Sequence, residues 1–147
     1  MKIPRILIWA ALLYLCWELA PAPVNAQWQK TNGPSGGYVR FFIFDGTSVL
    51  AATGGGIRAT DNGDAWSFRN AGLSSHDAKS FASASGYIFV STDEGVFRSN
   101  DHGATWERAG SALEGTYVKT LVSCGDTLFA GTYLSGIYRS TDSGATW

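Results

Sequence analysis

The sequence is poor in cysteine and has no run of basic residues. Its 147 residues include two cysteines, Cys16 and Cys124, and only Cys124 lies beyond residue 26. No intrachain disulfide is therefore expected there, and a lone cysteine at the end of an apolar stretch is typical of a small buried hydrophobic residue. The same part of the chain carries nine Lys and Arg against eleven Asp and Glu, a formal charge of −2. This balance argues against nucleic acid or an anionic membrane as a partner.

Long apolar runs are also scarce, and the one that exists lies near the N-terminus. Ile6 to Trp17 is almost unbroken in apolar residues, and Lys2 and Arg5 make the preceding residues positive. The small side chains of Val24 and Ala26 suit a cleavage site, so residues 1–26 are predicted to be a secretory signal peptide. A membrane anchor is the alternative, but twelve apolar residues are too few to span a bilayer. We expect a secreted, periplasmic or cell-surface protein with no membrane span after cleavage.

Glycine, in contrast, is abundant. All 18 glycines lie beyond residue 26, where they separate short stretches rich in apolar and aromatic residues. Glycine supplies the positive φ that tight turns need. This punctuation favours an all-β protein made of short strands.

A nine-residue stretch recurs with a period of about forty residues. Its three aspartates, Asp61, Asp101 and Asp142, are 40 and 41 residues apart, and similar apolar stretches precede each copy. The copies are "RATDNGDAW" (58–66), "RSNDHGATW" (98–106) and "RSTDSGATW" (139–147). A fixed period of this length is the signature of a repeat architecture.

The pattern within one repeat predicts four short strands. "VKTLVSC" (118–124), "LFAGT" (128–132) and "IYRS" (137–140) read as strands with turns between them, and "WERAG" (106–110) reads as a more polar fourth strand. Four such strands form one antiparallel blade of a β-propeller. Residues 27–147 are therefore predicted to form a partial β-propeller of about three four-stranded blades. A β-sandwich is the alternative, but it does not require its turns to repeat.

Two of the copies match a known motif in full. "SNDHGATW" and "STDSGATW" fit Ser-x-Asp-x-Gly-x-Thr-Trp, the Asp box of the bacterial neuraminidase repeat. The chain thus resembles the Asp-box β-propellers of the sialidase and sortilin-like superfamily, and the resemblance implies a fold rather than an activity. The motif positions are Ser99, Asp101, Gly103, Thr105, Trp106, Ser140, Asp142, Gly144, Thr146 and Trp147.

The residue types of the Asp box indicate a structural role. An aspartate can fold back to accept backbone N–H groups of its own turn, and the glycine allows positive φ. The hydroxyls add hydrogen bonds, and the tryptophan buries a large ring beneath the hairpin. In the family that the chain resembles, the box joins the third and fourth strands on the outer side of a blade.

The first copy departs from the motif. It retains Asp61, Gly63 and Trp66, but Ala59 and Ala65 replace the serine and the threonine. It is also one residue short ahead of the aspartate and lacks the aromatic residue found there in the other copies. We expect its turn to form with fewer hydrogen bonds.

Catalytic chemistry finds little support in the sequence. A sialidase needs three arginines that grip a carboxylate, but Arg58, Arg98 and Arg139 occupy one repeat position ahead of the box, which indicates a scaffold role. The glutamates suggest no carboxylate pair for glycoside hydrolysis. His76 and His102 lack metal-ligand spacing. No catalytic residue, cofactor or metal site is therefore predicted.

The sequence accordingly predicts an exported, non-enzymatic repeat protein that binds or scaffolds an extracellular protein or glycan. Two alternatives stay open: the N-terminal piece of an extracellular glycan hydrolase, and an assembly factor for a membrane complex. "WQKTNGP" (28–34) is similar to "WSFRNAGL" (66–73), so the mature chain is expected to open on a fourth-strand sequence. Because propellers typically close with four to eight blades, we also expect these repeats to be part of a longer chain.

Overall fold

The computed structural model describes residues 30–33 and 38–147, and these residues form three antiparallel sheets. Each sheet is one blade, with its strands hydrogen-bonded in chain order. The strands are β1 Val39–Phe44, β2 Val49–Thr53, β3 Gly56–Thr60 and β4 Ser67–Phe68; β5 Ser80–Ala84, β6 Tyr87–Thr92, β7 Gly95–Ser99 and β8 Glu107–Arg108; and β9 Val118–Cys124, β10 Thr127–Thr132 and β11 Ile137–Ser140. The predicted all-β architecture is confirmed.

The alternation of residues along a strand explains why the blades stack. Successive side chains of a strand point to opposite faces of its sheet. On β6 of the second blade, Ile88 and Val90 pack towards the first blade, whereas Phe89 packs towards the third. All three side chains are buried. The central blade therefore buries both of its faces, as expected for a stacked repeat.

Two apolar seams hold the blades together. The first seam lies between the first and second blades, and the second seam lies between the second and third. In the first seam, Leu50 and Ile57 meet Phe81 and Trp106. The main buried side chains of the second seam are Phe89, Val96, Leu113, Val118, Leu121 and Leu128.

The first strand of each blade lies on the inner side of the stack. Strand β5 contacts both β1 and β9, so these three strands converge. Strands β4 and β8, of two residues each, lie at the opposite edge of their sheets. The innermost strands of a propeller face its central channel, and we call this side the inner edge.

The outward faces of the two end blades expose large apolar side chains. Phe42, Phe44 and Phe68 on the first blade are 54%, 67% and 58% exposed. Val122 and Ile137 on the third blade are 58% and 79% exposed. Exposed apolar area of this extent marks a surface suited to further contacts.

Some sequence expectations differ from the structure. Cys124 was expected to be buried but is exposed, because it ends β9 at the turn into β10. The fourth strand predicted over 106–110 is limited to Glu107–Arg108. The predicted signal peptide lies outside the described residues. Of the 28–34 segment, which was expected to be a fourth strand, the described residues 30–33 form no strand.

Candidate functional site

The Asp box of the second blade is a closed hydrogen-bonded turn. Asp101 accepts hydrogen bonds from the Thr105 backbone N–H at 2.9 Å, the Thr105 hydroxyl at 2.6 Å and the Ser99 hydroxyl at 2.7 Å. The Ser99 hydroxyl in turn accepts the Gly103 N–H at 2.8 Å. Hydrogen bonds from Thr105 and Ser99 lower the pKa of Asp101 to about 2, because they favour its ionised form.

The third blade repeats this turn almost atom for atom. Asp142 accepts from the backbone N–H and hydroxyl of Thr146 at 2.9 and 2.6 Å, and from the Ser140 hydroxyl at 2.8 Å. The Gly144 N–H donates to the Ser140 hydroxyl at 2.9 Å. The pKa of Asp142 is likewise lowered to about 2, first through Thr146 and then through Ser140. The aspartate side chains of both full boxes are thus engaged within their own turns.

The tryptophan of each of these two boxes also forms a hydrogen bond with the preceding blade. The Trp106 indole N–H donates to the Arg69 carbonyl at 2.9 Å, and the Trp147 indole N–H donates to the Ala109 carbonyl at 2.9 Å. A Cβ on Gly103, which has a φ of 76°, would lie 2.6 Å from a Leu50 methyl of the first blade. Glycine is needed here for both its conformation and its size.

The first box follows a different geometry. Thr60, not Ala59, takes the place of the box serine, and its hydroxyl accepts the Gly63 N–H at 2.9 Å. Asp61 accepts the Ser48 hydroxyl at 2.8 Å, from the turn between β1 and β2. The Trp66 indole N–H is buried and has no hydrogen-bond partner among the described residues.

The missing residue ahead of the first box also moves an arginine to the other face of its sheet. Ala59 pairs with Leu50, which packs in the first seam, whereas Arg98 pairs with Phe89 of the second seam. Arg58 therefore faces outward, where its guanidinium lies 3.4 Å from the Phe68 ring centroid. The prediction that Arg58 shares a repeat position with Arg98 is wrong, because a one-residue shift reverses side-chain direction in a strand.

Arg98 connects the second blade to the third box. Its guanidinium donates to the Ser143 carbonyl at 2.7 Å and to Glu107 at 2.8 Å. These contacts support the scaffold role expected for this arginine.

A row of basic residues follows the inner edge, at one position of each blade. Arg40 and Lys119 occupy β-bulges at the start of β1 and β9, and Lys79 immediately precedes β5. The Lys79 backbone N–H donates to the Ser91 carbonyl at 2.9 Å, which places Lys79 at the position in the second blade that Arg40 and Lys119 occupy in theirs. Bulges re-aim side chains and are common beside functional sites. We call Arg40, Lys79 and Lys119 the cation row.

Each of the first two cations reaches the next blade. Arg40 pairs with Asp77 and donates to the Ala78 carbonyl at 2.9 Å, while Lys79 also pairs with Asp77. Burial raises the pKa of Asp77, but hydrogen bonds from Lys79 and Arg40 lower it below its usual value. The Lys79 ammonium also lies 4.6 Å from the Tyr117 ring centroid. Both cations thus have partners in the neighbouring blade.

The last cation of the row lies at an exposed aromatic surface. Lys119 is exposed, and Tyr117, two residues earlier, contacts Tyr133 with ring centroids 5.6 Å apart. The two rings are 40% and 65% exposed. The sequence carried a signal for this site, since the three basic residues are 39 and 40 residues apart. The signal is hidden in the sequence because the basic residue at this repeat position is arginine in one blade and lysine in the other two.

The fold defined by these blades is that of a partial β-propeller, and a comparison with solved structures supports it. Among the similar structures is "YCF48 bound to D1 peptide", with a TM-score of 0.60 and 18% sequence identity. The match covers 76% of this chain and 40% of that chain, so this chain spans less than half of the YCF48 chain. No protein-family model and no curated protein matches the sequence.

Within residues 30–33 and 38–147, no group of three or more His, Cys, Asp or Glu side chains is placed to hold a metal ion. No helix in this part of the chain is long and apolar enough to cross a membrane.

Proposed function

We propose that this protein is a non-enzymatic binding or scaffolding protein that acts outside the cytoplasm and holds an acidic peptide segment at its inner edge. The observation that carries the proposal is the exposed Lys119 at the end of the cation row, beside Tyr117 and Tyr133. YCF48, a protein whose structure has a similar fold, has been solved with a bound peptide. Export rests on the apolar N-terminal segment with its positive start.

The chemistry of the surface favours an extended acidic segment. Arg40 and Lys79 share a single carboxylate, Asp77, so the row and this carboxylate together keep a formal charge of +2. Asp93 and Glu94 lie in the turn at the same end of the second blade, where Ser75 and Ser74 hydroxyls bind them. A carboxylate of the ligand would pair with Lys119, and an apolar side chain would pack on the tyrosine rings.

The proposal is tested by peptide binding to the full-length protein. Fluorescence anisotropy compares a labelled acidic peptide, its amidated Asn/Gln analogue and a basic analogue. The acidic peptide should bind best, and raising the salt concentration should weaken its binding. Lys119→Glu should weaken binding about three- to tenfold, the effect expected of reversing one exposed charge.

Arg139→Glu is the matched control, because Arg139 is exposed on β11, two strands away from the inner edge. It should change the affinity less than about twofold. Equal losses of peptide affinity for the two variants would refute a site at Lys119. Binding that does not depend on the charge of the peptide would refute it as well. N-terminal sequencing of exported protein should begin at Gln27.

A further inference from the structure

Among the described residues, the third blade is the one sheet without a fourth strand. In the first blade, the Arg69 backbone N–H donates to the Ile57 carbonyl at 2.9 Å. In the second blade, the Ala109 backbone N–H donates to the Val96 carbonyl at 2.9 Å. Ile137 holds the same position in β11 as Ile57 and Val96 in their strands, because each directly follows a turn glycine. The outer edge of β11 is therefore open to one further strand.

A segment suited to this edge lies beside the first box. Residues 30–33 form no strand, but aligning "WQKT" (28–31) with "WERA" (106–109) places Thr31 at the position of Ala109. A Cβ on Gly63 of the first box would lie 3.7 Å from Thr31 Cγ2, and a Cβ on Gly144 of the third box would lie 3.0 Å from Ala109 Cβ. Thr31 thus meets the first box as the end of the second blade's fourth strand meets the third box.

The tryptophan of the first box lacks the acceptor that this segment would supply. In the other two boxes, the indole N–H donates at 2.9 Å to a carbonyl directly after the fourth strand of the preceding blade. The Trp66 indole N–H is buried and has no partner among the described residues. The equivalent acceptor is the Thr31 carbonyl. Because a buried donor without an acceptor is costly, a neighbouring strand that fixes residues 30–33 in this position would remove that cost.

The side chains of the segment also fit the edge of β11. In the second blade, Arg108 pairs across the strands with Phe97, and its guanidinium lies 4.9 Å from the Phe97 ring centroid. Lys30 and Tyr138 hold these two positions in the segment and in β11, and Lys30 is exposed. A cation over an aromatic ring is favourable. Pairing of the segment with β11 would therefore repeat a contact that the second blade already makes.

The outward faces of the end blades repeat the two sides of the first seam. In that seam, Ile57 of the first blade and Phe81 of the second blade are both buried. Ile137 is the counterpart of Ile57, and Phe42 is the counterpart of Phe81 on the first strand of its blade. Ile137 and Phe42 are both exposed. The outward face of the third blade is thus complementary to the outward face of the first blade.

The number of blades indicates that the two faces meet between copies rather than within one. The described residues form three blades, whereas propellers typically close with about four to eight. Two copies joined head to tail at both ends bring six blades, which lies within this range. A head-to-tail contact that closes on itself gives a ring rather than a filament.

We propose that two copies of this chain close into one six-bladed ring, in which β11 of each copy pairs with residues 30–33 of the other. The Thr31 N–H of one copy donates to the Ile137 carbonyl of the second copy. The Trp66 indole then donates to the Thr31 carbonyl of its own chain. Phe42 and Ile137 become buried in the shared seams, and the inner edges of both copies face one central channel.

The stoichiometry is tested by sedimentation equilibrium of the purified protein. The mass should rise with concentration to twice that of one chain and no further. A monomer at all concentrations would overturn the proposal. A mass that continues to rise beyond two chains would overturn it as well, because it would show an open filament.

Disulfide trapping tests the pairing of β11 with the segment. Thr31→Cys and Ile137→Cys are made as separate proteins in which Cys16 and Cys124 are replaced by serine. The two proteins are mixed at low concentration, concentrated together and mildly oxidised. Hydrogen-bonded cross-strand neighbours have Cα atoms about 5.5 Å apart, within the range of roughly 4.4–6.8 Å that a disulfide needs. Non-reducing electrophoresis should show a two-chain band for the mixture and none for either variant alone.

Val122→Cys is the matched control for Ile137→Cys. Val122 is exposed on the same face of the third blade, but it belongs to β9, two strands away from β11. Mixed with Thr31→Cys, it should give no two-chain band. Equal trapping by Val122→Cys and Ile137→Cys would overturn the pairing. A disulfide formed within single chains of the Thr31→Cys/Ile137→Cys double variant would also overturn it, because the contact would then lie within one copy.

Discussion

At the scale of single residues, the box aspartates differ in how many donors they satisfy. Asp101 accepts three hydrogen bonds from its own turn, whereas the contact given for Asp61 is to Ser48 of a neighbouring turn. The difference follows from the loss of the threonine hydroxyl at Ala65 and from the shorter link to Gly63. The box aspartate therefore closes its own turn in the second blade but binds a neighbouring turn in the first.

The ionised box aspartates should make the protein sensitive to acid. The pKa of Asp101 in the folded state is about 2, while an unfolded aspartate titrates near about 3.9. Because the folded pKa is depressed, its stabilising effect is present above about pH 4 and is lost as the pH falls towards about 2. Urea unfolding between about pH 5 and pH 2 should show the free energy of unfolding falling in this window.

Two variants distinguish this aspartate from general acid effects. Asp101→Asn removes the titration, so the fall in unfolding free energy should become shallower. Thr105→Val removes one of the three donors and should give an intermediate slope. Identical slopes in all three proteins would show that Asp101 does not contribute to acid sensitivity.

At the scale of elements, the sequence predicts strands well where branched side chains lead up to a glycine turn. Strand β9 begins and ends at the predicted residues, Val118 and Cys124, because branched side chains and a glycine turn define it. The fourth strands are shorter than predicted, since Glu107 and Arg108 are polar and pair at one edge only. The register of β3 was not evident, because a one-residue deletion changes which residue faces the seam without changing composition.

The candidate sites were less accessible to sequence reasoning than the strands. The Asp-box turns are local, so residue types at short spacing suffice to suggest their geometry. The cation row joins residues about forty positions apart, and it depends on the β-bulges at the start of β1 and β9. The turns at the other end of the blades also differ in length: the β1–β2 turn has four residues, whereas the equivalent turn of the second blade, Ser85 and Gly86, has two. Repeat alignment alone does not reveal that difference.

The seam between blades should depend on the box tryptophan. Trp106→Phe removes the hydrogen bond to the Arg69 carbonyl and should cost about 1 kcal/mol. Trp106→Ala also removes a ring that stacks on Phe81 and should cost about 3–5 kcal/mol. Chemical unfolding monitored by circular dichroism measures both.

Trp66→Phe provides the matched control within the same chain. The Trp66 indole N–H has no partner among the described residues, so its removal should cost less than the removal of the Trp106 indole. Equal costs for the two Trp→Phe variants would contradict a role for the indole hydrogen bond in the seam.

At the scale of the whole molecule, the end blades present two apolar faces. Phe42 and Phe68 belong to one face, and Val122 and Ile137 belong to the other. Faces of this kind favour association, because burying apolar area is favourable by about 25 cal/mol per Å². Light scattering of the purified protein should therefore show a mass that rises with concentration.

Charged substitutions on these faces should reduce the association. Phe42→Lys and Ile137→Lys each place a charge where a partner face would pack, and both should lower the average mass. Ala112→Lys, a change at an exposed position in the loop between β8 and β9, should leave it unchanged. A monodisperse monomer at all concentrations would contradict this view of the end faces.

The contacts of the box tryptophans with the preceding blade also determine when each seam can form during synthesis on the ribosome. Trp106 and Trp147 each bind a carbonyl of the blade made before them, so a seam is completed only when the next box has emerged. The boxes are about forty residues apart, which at roughly 5–20 residues per second is a delay of about 2–8 s. During that interval the newest blade has one uncovered apolar face. Slowing translation should therefore increase capture of nascent chains by chaperones.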